Sequence, residues 1–291
     1  MSLPCLGMEE REWKALADEI DGIYHSAADV RHYAADAGEF MNTNVIGTET
    51  MIALSLQADA VLHYISTASI SGDFLKDEPE KQMVFTEDDF YIGQNWEDNI
   101  YIRSKFLAEA CIYRAMEEKG LNARVYRLGR ITGRCTDHVF QRNPESNAAY
   151  LMMRAVRALG AITESMSLLP VDLTPVDWCA AAVIALGGSV RTALHLLNPQ
   201  PPSMKEVAQA LVPDLVIVPD ESYGTLLQER MNEENRDILA PLLDYYNRTG
   251  IGESRIQVDC SKTLETFKKE GFGWKIPPAA RLIEGFSGLF T

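Results

Sequence analysis

The sequence lacks the features that mark membrane, secreted and nucleic-acid-binding proteins. No stretch of about 18 uninterrupted apolar residues occurs, and no basic segment followed by an apolar one opens the chain. No run of lysine or arginine interrupts a formal net charge of −15. We therefore expect no membrane partner and no nucleic-acid partner, and we predict a cytoplasmic protein.

Cysteine is scarce and has no paired spacing. The five cysteines are scattered and never occur as CxxC: Cys5, Cys111, Cys135, Cys179 and Cys260. An odd, scattered set is typical of reduced thiols and not of a disulfide framework or a zinc site. The sequence also has no internal repeat and no low-complexity linker. We predict no metal site.

What the chain does have is an alternation of helical and apolar strand-like segments over its first 135 residues. Helical periodicity predicts helices at Glu9–Ile20, Glu39–Leu56 and Tyr101–Lys119, and apolar runs predict strands at Asp21–His25, Ala60–Thr67 and Ala123–Leu128. The acidic, turn-rich segment from Gly72 to Asn99 is predicted to be a loop. The alternation indicates an α/β protein with a doubly wound parallel sheet.

The pattern becomes less regular after Gly133. It predicts helices near 148–159 and 176–186, a strand at Ala193–Leu197, and a mainly helical C-terminal part in which Ser203 caps a helix. We predict a first, partial α/β domain over residues 1–135. We predict a second lobe over residues 136–291, from which about 168–198 returns to the sheet of the first domain.

One pair of side chains suggests chemistry. Tyr101 and Lys105 are four residues apart, which places them on the same face of a helix. A neighbouring cation favours the phenolate and would lower the pKa of tyrosine, which is ordinarily near 10. The preceding strand ends in Ser66-Thr67, and open α/β sheets build their sites at the carboxyl ends of strands. Taken alone, the pair could equally belong to an ordinary solvated helix face.

The combined motifs resemble those of extended short-chain dehydrogenases/reductases: Tyr101xxxLys105, Ser66-Thr67, His25-Ser-Ala-Ala28 and Asn44-Val-Ile-Gly-Thr48. The resemblance implies that Thr67 polarises a substrate carbonyl, with Ser69 as a fallback. It implies that Tyr101 gives the carbonyl oxygen a proton as hydride arrives. It also implies that Lys105 lowers the tyrosine pKa and binds the nicotinamide ribose.

The same resemblance implies a Rossmann-like sheet, with a partial NAD(P)-binding Rossmann domain over residues 1–135 and a substrate-binding lobe over residues 136–291. It also implies a set of cofactor-binding residues and NADPH as the cofactor. The His25 turn would lie along the cofactor, Asn44 would help to organise a proton relay behind Lys105, and the segment after Ala123–Arg127 would meet the nicotinamide end. The full set is His25, Ala27, Ala28, Asn44, Ser66, Tyr101, Lys105, Leu128, Gly129, Arg130 and Ile131.

Further segments resemble the thioester reductase branch, which contains the reductive release domains of nonribosomal peptide and polyketide synthases. These are Leu6-Gly7 followed by Trp13, Thr174-Pro-Val-Asp-Trp178 and His195-Leu-Leu-Asn-Pro199. The resemblance implies NADPH-dependent reduction of a carrier-bound acyl or peptidyl thioester to an aldehyde or alcohol. The implied partners are a phosphopantetheine-bearing carrier protein and upstream synthase modules. Thr174–Trp178 could also simply begin a helix.

One family feature is missing from the sequence. Such reductases begin with a strand and a TGxTGxxG-type turn that binds the pyrophosphate at a helix N-terminus, and no segment here matches that turn. We therefore expect the first strands of the cofactor domain to lie upstream of Met1, which leaves the strand at Asp21–His25 at a sheet edge. The chain alone need not be active.

Three alternatives stay open at this level. A carboxylate or fatty acyl-CoA reductase would share Thr67, Tyr101 and Lys105. A sugar-nucleotide epimerase would share them as well, but not the Pro175-Val-Asp177 and His195-to-Pro199 segments. A non-catalytic Rossmann-like interaction module would have kept the fold and lost the cofactor.

Overall fold

The computed structural model describes residues 4–30, 37–249 and 254–288. They divide into two compact units. The first unit takes in the described residues up to Leu128 together with Val183–Leu196 and Ser254–Phe272. The second takes in the described residues of Gly129–Ala182, Leu197–Glu253 and Gly273–Thr291.

The first unit is built on a parallel four-stranded sheet. Its strands are β1 (Gly22–His25), β2 (Val61–Thr67), β4 (Ala123–Leu128) and β8 (Ala193–Leu196), in the order β1-β2-β4-β8. Three further segments of this unit are the helices α1 (Glu10–Glu19), α3 (Gly47–Ala58) and α4 (Ile100–Lys119). The α/β class and the parallel sheet predicted from the sequence are confirmed.

The core of this unit explains why these segments fold as they do. Trp13 of α1, Ile52 of α3 and Ile112 of α4 pack with Leu62 of β2 and Val125 of β4, and the buried members of this cluster are at most 9% exposed. Strands covered on both faces need largely apolar sequence, which β2 has from Val61 to Ile65 apart from His63. Helix α4 is capped by Gly120, whose φ of 70° is in the left-handed region that glycine adopts without strain.

The segment between β1 and β2 departs from the sequence prediction of one helix at Glu39–Leu56. It consists of α2 (Ala37–Met41), a π-helical turn at Asn42–Ile46 and then α3. Such π-helical turns inside α-helices are rare and occur often at functional sites. The turn contains Asn44, one of the predicted site residues.

The predicted loop at 72–99 also contains a strand. β3 (Met83–Phe85) pairs in parallel with β10 (Ile256–Val258), and Phe85, Ile256 and Phe106 share a small buried cluster. The helix α11 (Ser261–Lys269) follows β10 in the same unit. The loop prediction was therefore incomplete because the partner strand lies about 170 residues further along the chain.

The second unit is mainly helical. Its helices are α5 (Ala148–Leu159), α6 (Glu164–Leu168), the first turns of α7 (Val176–Ala185), α8 (Met204–Leu211), α9 (Asp220–Arg230), α10 (Arg236–Thr249) and α12 (Ala279–Ser287). Two short parallel pairs join β5 (Ile131–Thr132) to β7 (Thr174–Pro175) and β6 (Ala161–Thr163) to β9 (Val216–Val218). Ser203 caps α8 in a capping box with Glu206, as predicted.

Candidate active site

The carboxyl ends of β2 and β4 lie side by side. Thr67 is the last residue of β2 and is opposite Leu128, the last residue of β4. The Thr67 hydroxyl accepts a hydrogen bond from the backbone N–H of Ser69 at 3.2 Å, which caps a short 3₁₀ turn at Ala68–Ser71. This cap fixes the Thr67 side chain at the sheet edge where α/β proteins bind ligands.

Tyr101 is brought to Thr67 by the start of α4. The side chain of Asn99 caps the helix by accepting from the backbone N–H groups of Tyr101 at 3.0 Å and Ile102 at 3.1 Å. Burial raises the pKa of the Tyr101 phenol, and a hydrogen bond with the Thr67 side chain opposes part of that rise. Burial therefore sets the net direction of this shift, and the lowering of the Tyr101 pKa by Lys105 stays a prediction.

Lys105 lies one turn further along α4 and is only 4% exposed. Its Nζ donates to the carbonyl oxygen of Ile65 at 2.7 Å and to the phenol of Tyr64 at 3.3 Å, and it lies 4.6 Å from the centre of the Tyr64 ring. Burial lowers the pKa of Lys105 to about 8, against the opposing charge of Glu109. This side chain can therefore exchange a proton between its ammonium and amine forms near neutral pH.

His25 lies near Lys105 and contacts Thr48 and the ring of Tyr64. Its Nε2 lies 3.1 Å from Oγ1 of Thr48, and its ring is tilted against that of Tyr64 with centroids 5.6 Å apart. Burial, with a smaller contribution from the charge of Lys105, lowers the pKa of His25 to about 4. The imidazole is therefore neutral at pH 7. Ala27 is exposed and Ala28 half-buried in the irregular segment that follows β1.

Asn44 ties three elements together. Its Oδ1 accepts from the backbone N–H of Asp29 at 2.7 Å, and its Nδ2 donates to the Asp29 carbonyl at 2.9 Å and to the Ser104 hydroxyl at 2.8 Å. The Ser104 hydroxyl in turn donates to the carbonyl of Tyr101. Asn44 thus fixes the chain after Ala28 against the first turn of the helix that carries Tyr101 and Lys105.

Ser66 faces away from this group. Its hydroxyl donates to the buried carboxylate of Glu109, which forms an ion pair with Arg127 at 2.9 Å. Successive strand side chains point to opposite faces, so Ser66 and Thr67 diverge. The structure therefore does not bring the Ser66 hydroxyl together with Thr67 and Tyr101. A contact between Ser66 and the cofactor, which the resemblance implies, would have to be made by the Ser66 backbone.

The predicted segment Leu128–Ile131 follows the end of β4 directly. Leu128, Gly129 and Ile131 are half-buried and Arg130 is exposed. The backbone N–H of Arg130 donates to Oδ2 of Asp172 at 2.9 Å. Burial raises the pKa of Asp172, and its hydrogen bonds with Thr174 and with backbone N–H groups oppose that rise.

Nothing in the local sequence indicates a role for Asp172. It precedes the Thr174–Trp178 segment by two positions, but no local pattern shows that its carboxylate reaches Arg130. Asp177 and Asn198, from the two segments that resemble the thioester reductase branch, also form side-chain hydrogen bonds to the backbone. Asp177 accepts from the N–H groups of Cys135 and Thr136, and Asn198 donates to the carbonyl of Leu173.

Comparison with known proteins identifies the family. Residues 1–183 match the model of an NAD-binding family described as Male sterility protein. The chain belongs to this family. It is 27% identical over 215 residues to a linear gramicidin synthase protein of Brevibacillus parabrevis, a match that covers 72% of the chain and 4% of that much longer relative. The chain therefore spans a small part of that relative.

Two solved structures are similar over nearly the whole chain. A thiolation-reductase di-domain from an archaeal non-ribosomal peptide synthetase has a TM-score of 0.82 at 27% identity, covering 97% of this chain and 60% of that one. The reductase domain of the aureusimine biosynthetic cluster has a TM-score of 0.76 at 27% identity, covering 94% and 70%. The resemblance to reductase domains of peptide synthases is thereby confirmed.

Two findings concern what the described residues do not contain. No helix among them is long and apolar enough to cross a membrane. No group of three or more His, Cys, Asp or Glu side chains in that part of the chain could hold a metal ion.

Proposed function

We propose that this family member takes part in the NADPH-dependent reduction of a carrier-bound acyl or peptidyl thioester, releasing an aldehyde or an alcohol. The carrier would present its substrate on phosphopantetheine, and the protein would act with upstream synthase modules in the cytoplasm. The names of the synthase and reductase relatives support this assignment. Thr67, Tyr101 and Lys105 are the proposed catalytic residues.

The observation that carries the proposal is the pairing of Thr67 with Tyr101 at the end of β2, with Lys105 buried one helical turn away. Two hydroxyl groups that hydrogen bond to each other can both reach one carbonyl oxygen. Because burial raises the pKa of Tyr101, the phenol stays protonated at neutral pH and keeps a proton to donate. A developing oxyanion would thus meet two positioned donors.

The residues present fit the nicotinamide half of the cofactor. Lys105 supplies a buried donor that could bind the ribose hydroxyls, and the family resemblance implies that the turn after β4 meets the nicotinamide end. NADPH, when bound, supplies the hydride. Selection of NADPH over NADH stays a proposal from the family resemblance, because none of the proposed site residues would contact a 2′-phosphate.

In a thioester, the carbonyl oxygen must receive a proton, and the carbonyl carbon must later lose the thiolate. Tyr101 would donate to the carbonyl oxygen while Thr67 holds that oxygen in place. Addition of hydride to the carbon and of this proton to the oxygen would give a hemithioacetal. The aldehyde then forms as the carbon–sulfur bond breaks, the hydroxyl oxygen loses its proton, and the departing thiolate takes up a proton to become the free thiol of the carrier. A second reduction at the same residues would give an alcohol, with Tyr101 again donating to the oxygen.

The test is NADPH binding by calorimetry, measured on this chain and on the longest natural protein that contains it. Turnover is then followed as NADPH oxidation with an acyl-phosphopantetheine thioester on a carrier protein. We expect carrier-dependent oxidation with aldehyde or alcohol released. Oxidation with acyl-CoA alone would favour the fatty acyl-CoA reductase alternative. Absence of NADPH binding in both proteins would favour a non-catalytic module.

A further inference from the structure

The turn after β4 is shaped around one carboxylate. Gly129 does not have a positive φ, so its backbone conformation does not demand glycine. Space demands it instead: a Cβ added at Gly129 would overlap Oδ2 of Asp172 and would come within 2.9 Å of Leu197 Cδ2. The carboxylate therefore lies directly against the backbone of the turn.

Asp172 uses both oxygens in this position. Oδ2 accepts from the backbone N–H of Arg130 at 2.9 Å. Oδ1 accepts from the Thr174 hydroxyl at 2.8 Å and from the backbone N–H of Asn198 at 3.2 Å. The Asn198 N–H also lies 2.9 Å from the Thr174 hydroxyl oxygen.

Every polar partner of Asp172 in the described structure is thus a donor. An acceptor-only group satisfies such a site, whereas an amide of the same shape would turn an N–H₂ group toward an N–H or O–H donor. The three donors come from the turn after β4, from β7 and from the residue that follows Leu197. One carboxylate therefore ties the turn to two other segments of the second unit.

We propose that Asp172 is a positioning residue for the cofactor, because it holds Gly129–Ile131 in the conformation that receives the nicotinamide end. The proposal rests on the proposed function. Asp172 itself acts through the turn and does not contact the reacting atoms.

Asp177 provides a matched control in the same unit. Its carboxylate also accepts from two backbone N–H groups, those of Cys135 at 3.1 Å and Thr136 at 3.2 Å, in a different loop. If Asp172 were merely one of several carboxylates that stabilise loops, Asp172→Asn and Asp177→Asn would have the same effect on cofactor binding. The proposal requires them to differ.

The first measurement is amide hydrogen exchange, which needs no cofactor. Asp172→Asn should accelerate exchange in Gly129–Ile131 and at Asn198, and Asp177→Asn should accelerate it at Cys135 and Thr136. The second measurement is NADPH affinity, made in this chain or, if this chain alone does not bind NADPH, in the longest natural protein that contains it. Asp172→Asn should weaken NADPH binding about tenfold, as expected for loss of a hydrogen bond to a charged acceptor, while Asp177→Asn should leave it unchanged.

A second variant tests the contact from the other side. Gly129→Ala displaces the carboxylate, so it should reproduce the loss of NADPH affinity, and the double variant with Asp172→Asn should be no weaker than the worse single one. Unchanged exchange at Arg130 in Asp172→Asn, or an NADPH affinity equal to that of the wild type, would overturn the proposal. Wild-type protein that fails to bind NADPH would instead overturn the proposed function and the cofactor role of Asp172, while hydrogen exchange would still decide whether Asp172 holds the turn.

Discussion

Among the described residues of the first unit, Arg127 and Lys105 are buried cations, and they differ in whether a carboxylate lies beside them. Arg127 is fully buried and contacts the carboxylate of Glu109, the hydroxyl of Tyr113, the backbone carbonyl of Asp89 and Nε2 of His195. Although burial acts to lower the pKa of Arg127, the negative charge of Glu109 is the main opposing influence, and the net shift is upward.

Lys105 is almost as deeply buried, but no carboxylate in the described part of the chain lies within ion-pair distance of its Nζ. Its partners are the Ile65 carbonyl and the Tyr64 phenol and ring, and burial lowers its pKa to about 8. A buried cation with its counter-ion is a fixed part of the structure, whereas one without it is poised to exchange protons. This difference supports the proposed chemical role of Lys105, and it makes Arg127 a structural partner of Glu109.

The largest effect should be on turnover, when the hydroxyl oxygen of Tyr101 is removed. Tyr101→Phe should lower turnover by about 10²–10⁴-fold, the usual contribution of a positioned acid, while the melting temperature changes little. The matched control is Tyr113→Phe on the same helix, whose hydroxyl accepts from Arg127 at 3.1 Å. NADPH oxidation measured for both variants decides the matter. Equal turnover in Tyr101→Phe and wild type would remove Tyr101 as the proton donor.

The next effect concerns folding and separates the two cations directly. Arg127→Met leaves Glu109 as an uncompensated buried charge and should lower the free energy of unfolding by about 3–5 kcal/mol. Lys105→Met removes a cation that has no counter-ion, so it should leave stability unchanged or raise it while turnover falls. Urea unfolding of both variants measures this. A Lys105→Met variant as unstable as Arg127→Met would show that the two sites are equivalent.

The sequence predicted the parts of this comparison that depend on local pattern. Apolar runs located the strands that carry Thr67 and Arg127, and helical spacing placed Tyr101 and Lys105 on one face of a helix. The cofactor contact predicted for Ser66 rested on the family resemblance, which does not report that alternation along β2 turns Ser66 away from Thr67.

Other features depend on contacts between residues far apart in the chain. The strand at Met83–Phe85 is three residues long, and its pairing partner at Ile256–Val258 is far from it in sequence. The hydrogen bond from the Arg130 amide to Asp172 spans 42 positions. The upward shift in the pKa of Tyr101 follows from burial, which spacing does not report. These are effects of tertiary packing and could not be derived from a single sequence.

A third prediction uses pH to isolate the lysine. The pKa of Lys105 is about 8 in the folded protein against 10.5 as its ordinary value, so the unfolded chain binds more protons between these pH values. The contribution of Lys105 to stability is therefore present above pH 10.5 and is lost as the pH falls toward 8, by at most about 3 kcal/mol. Unfolding of wild type and Lys105→Met, compared from pH 7 to 10.5, measures it. A constant difference between them would contradict the lowered pKa.

The smallest effect should come from the neutral hydrogen bonds that hold the helix of Lys105 in place. Asn44→Ala leaves the backbone groups of Asp29 without their side-chain partner and should cost about 1–3 kcal/mol of unfolding free energy. Ser104→Ala removes one bond to Asn44 and one to the Tyr101 carbonyl, so its cost should be lower, about 0.5–1.5 kcal/mol. Because the two side chains share a hydrogen bond, the double variant should cost less than the sum of the single ones. Additive costs would mean that Asn44 acts only on Asp29 and does not tie that segment to the helix of Tyr101 and Lys105.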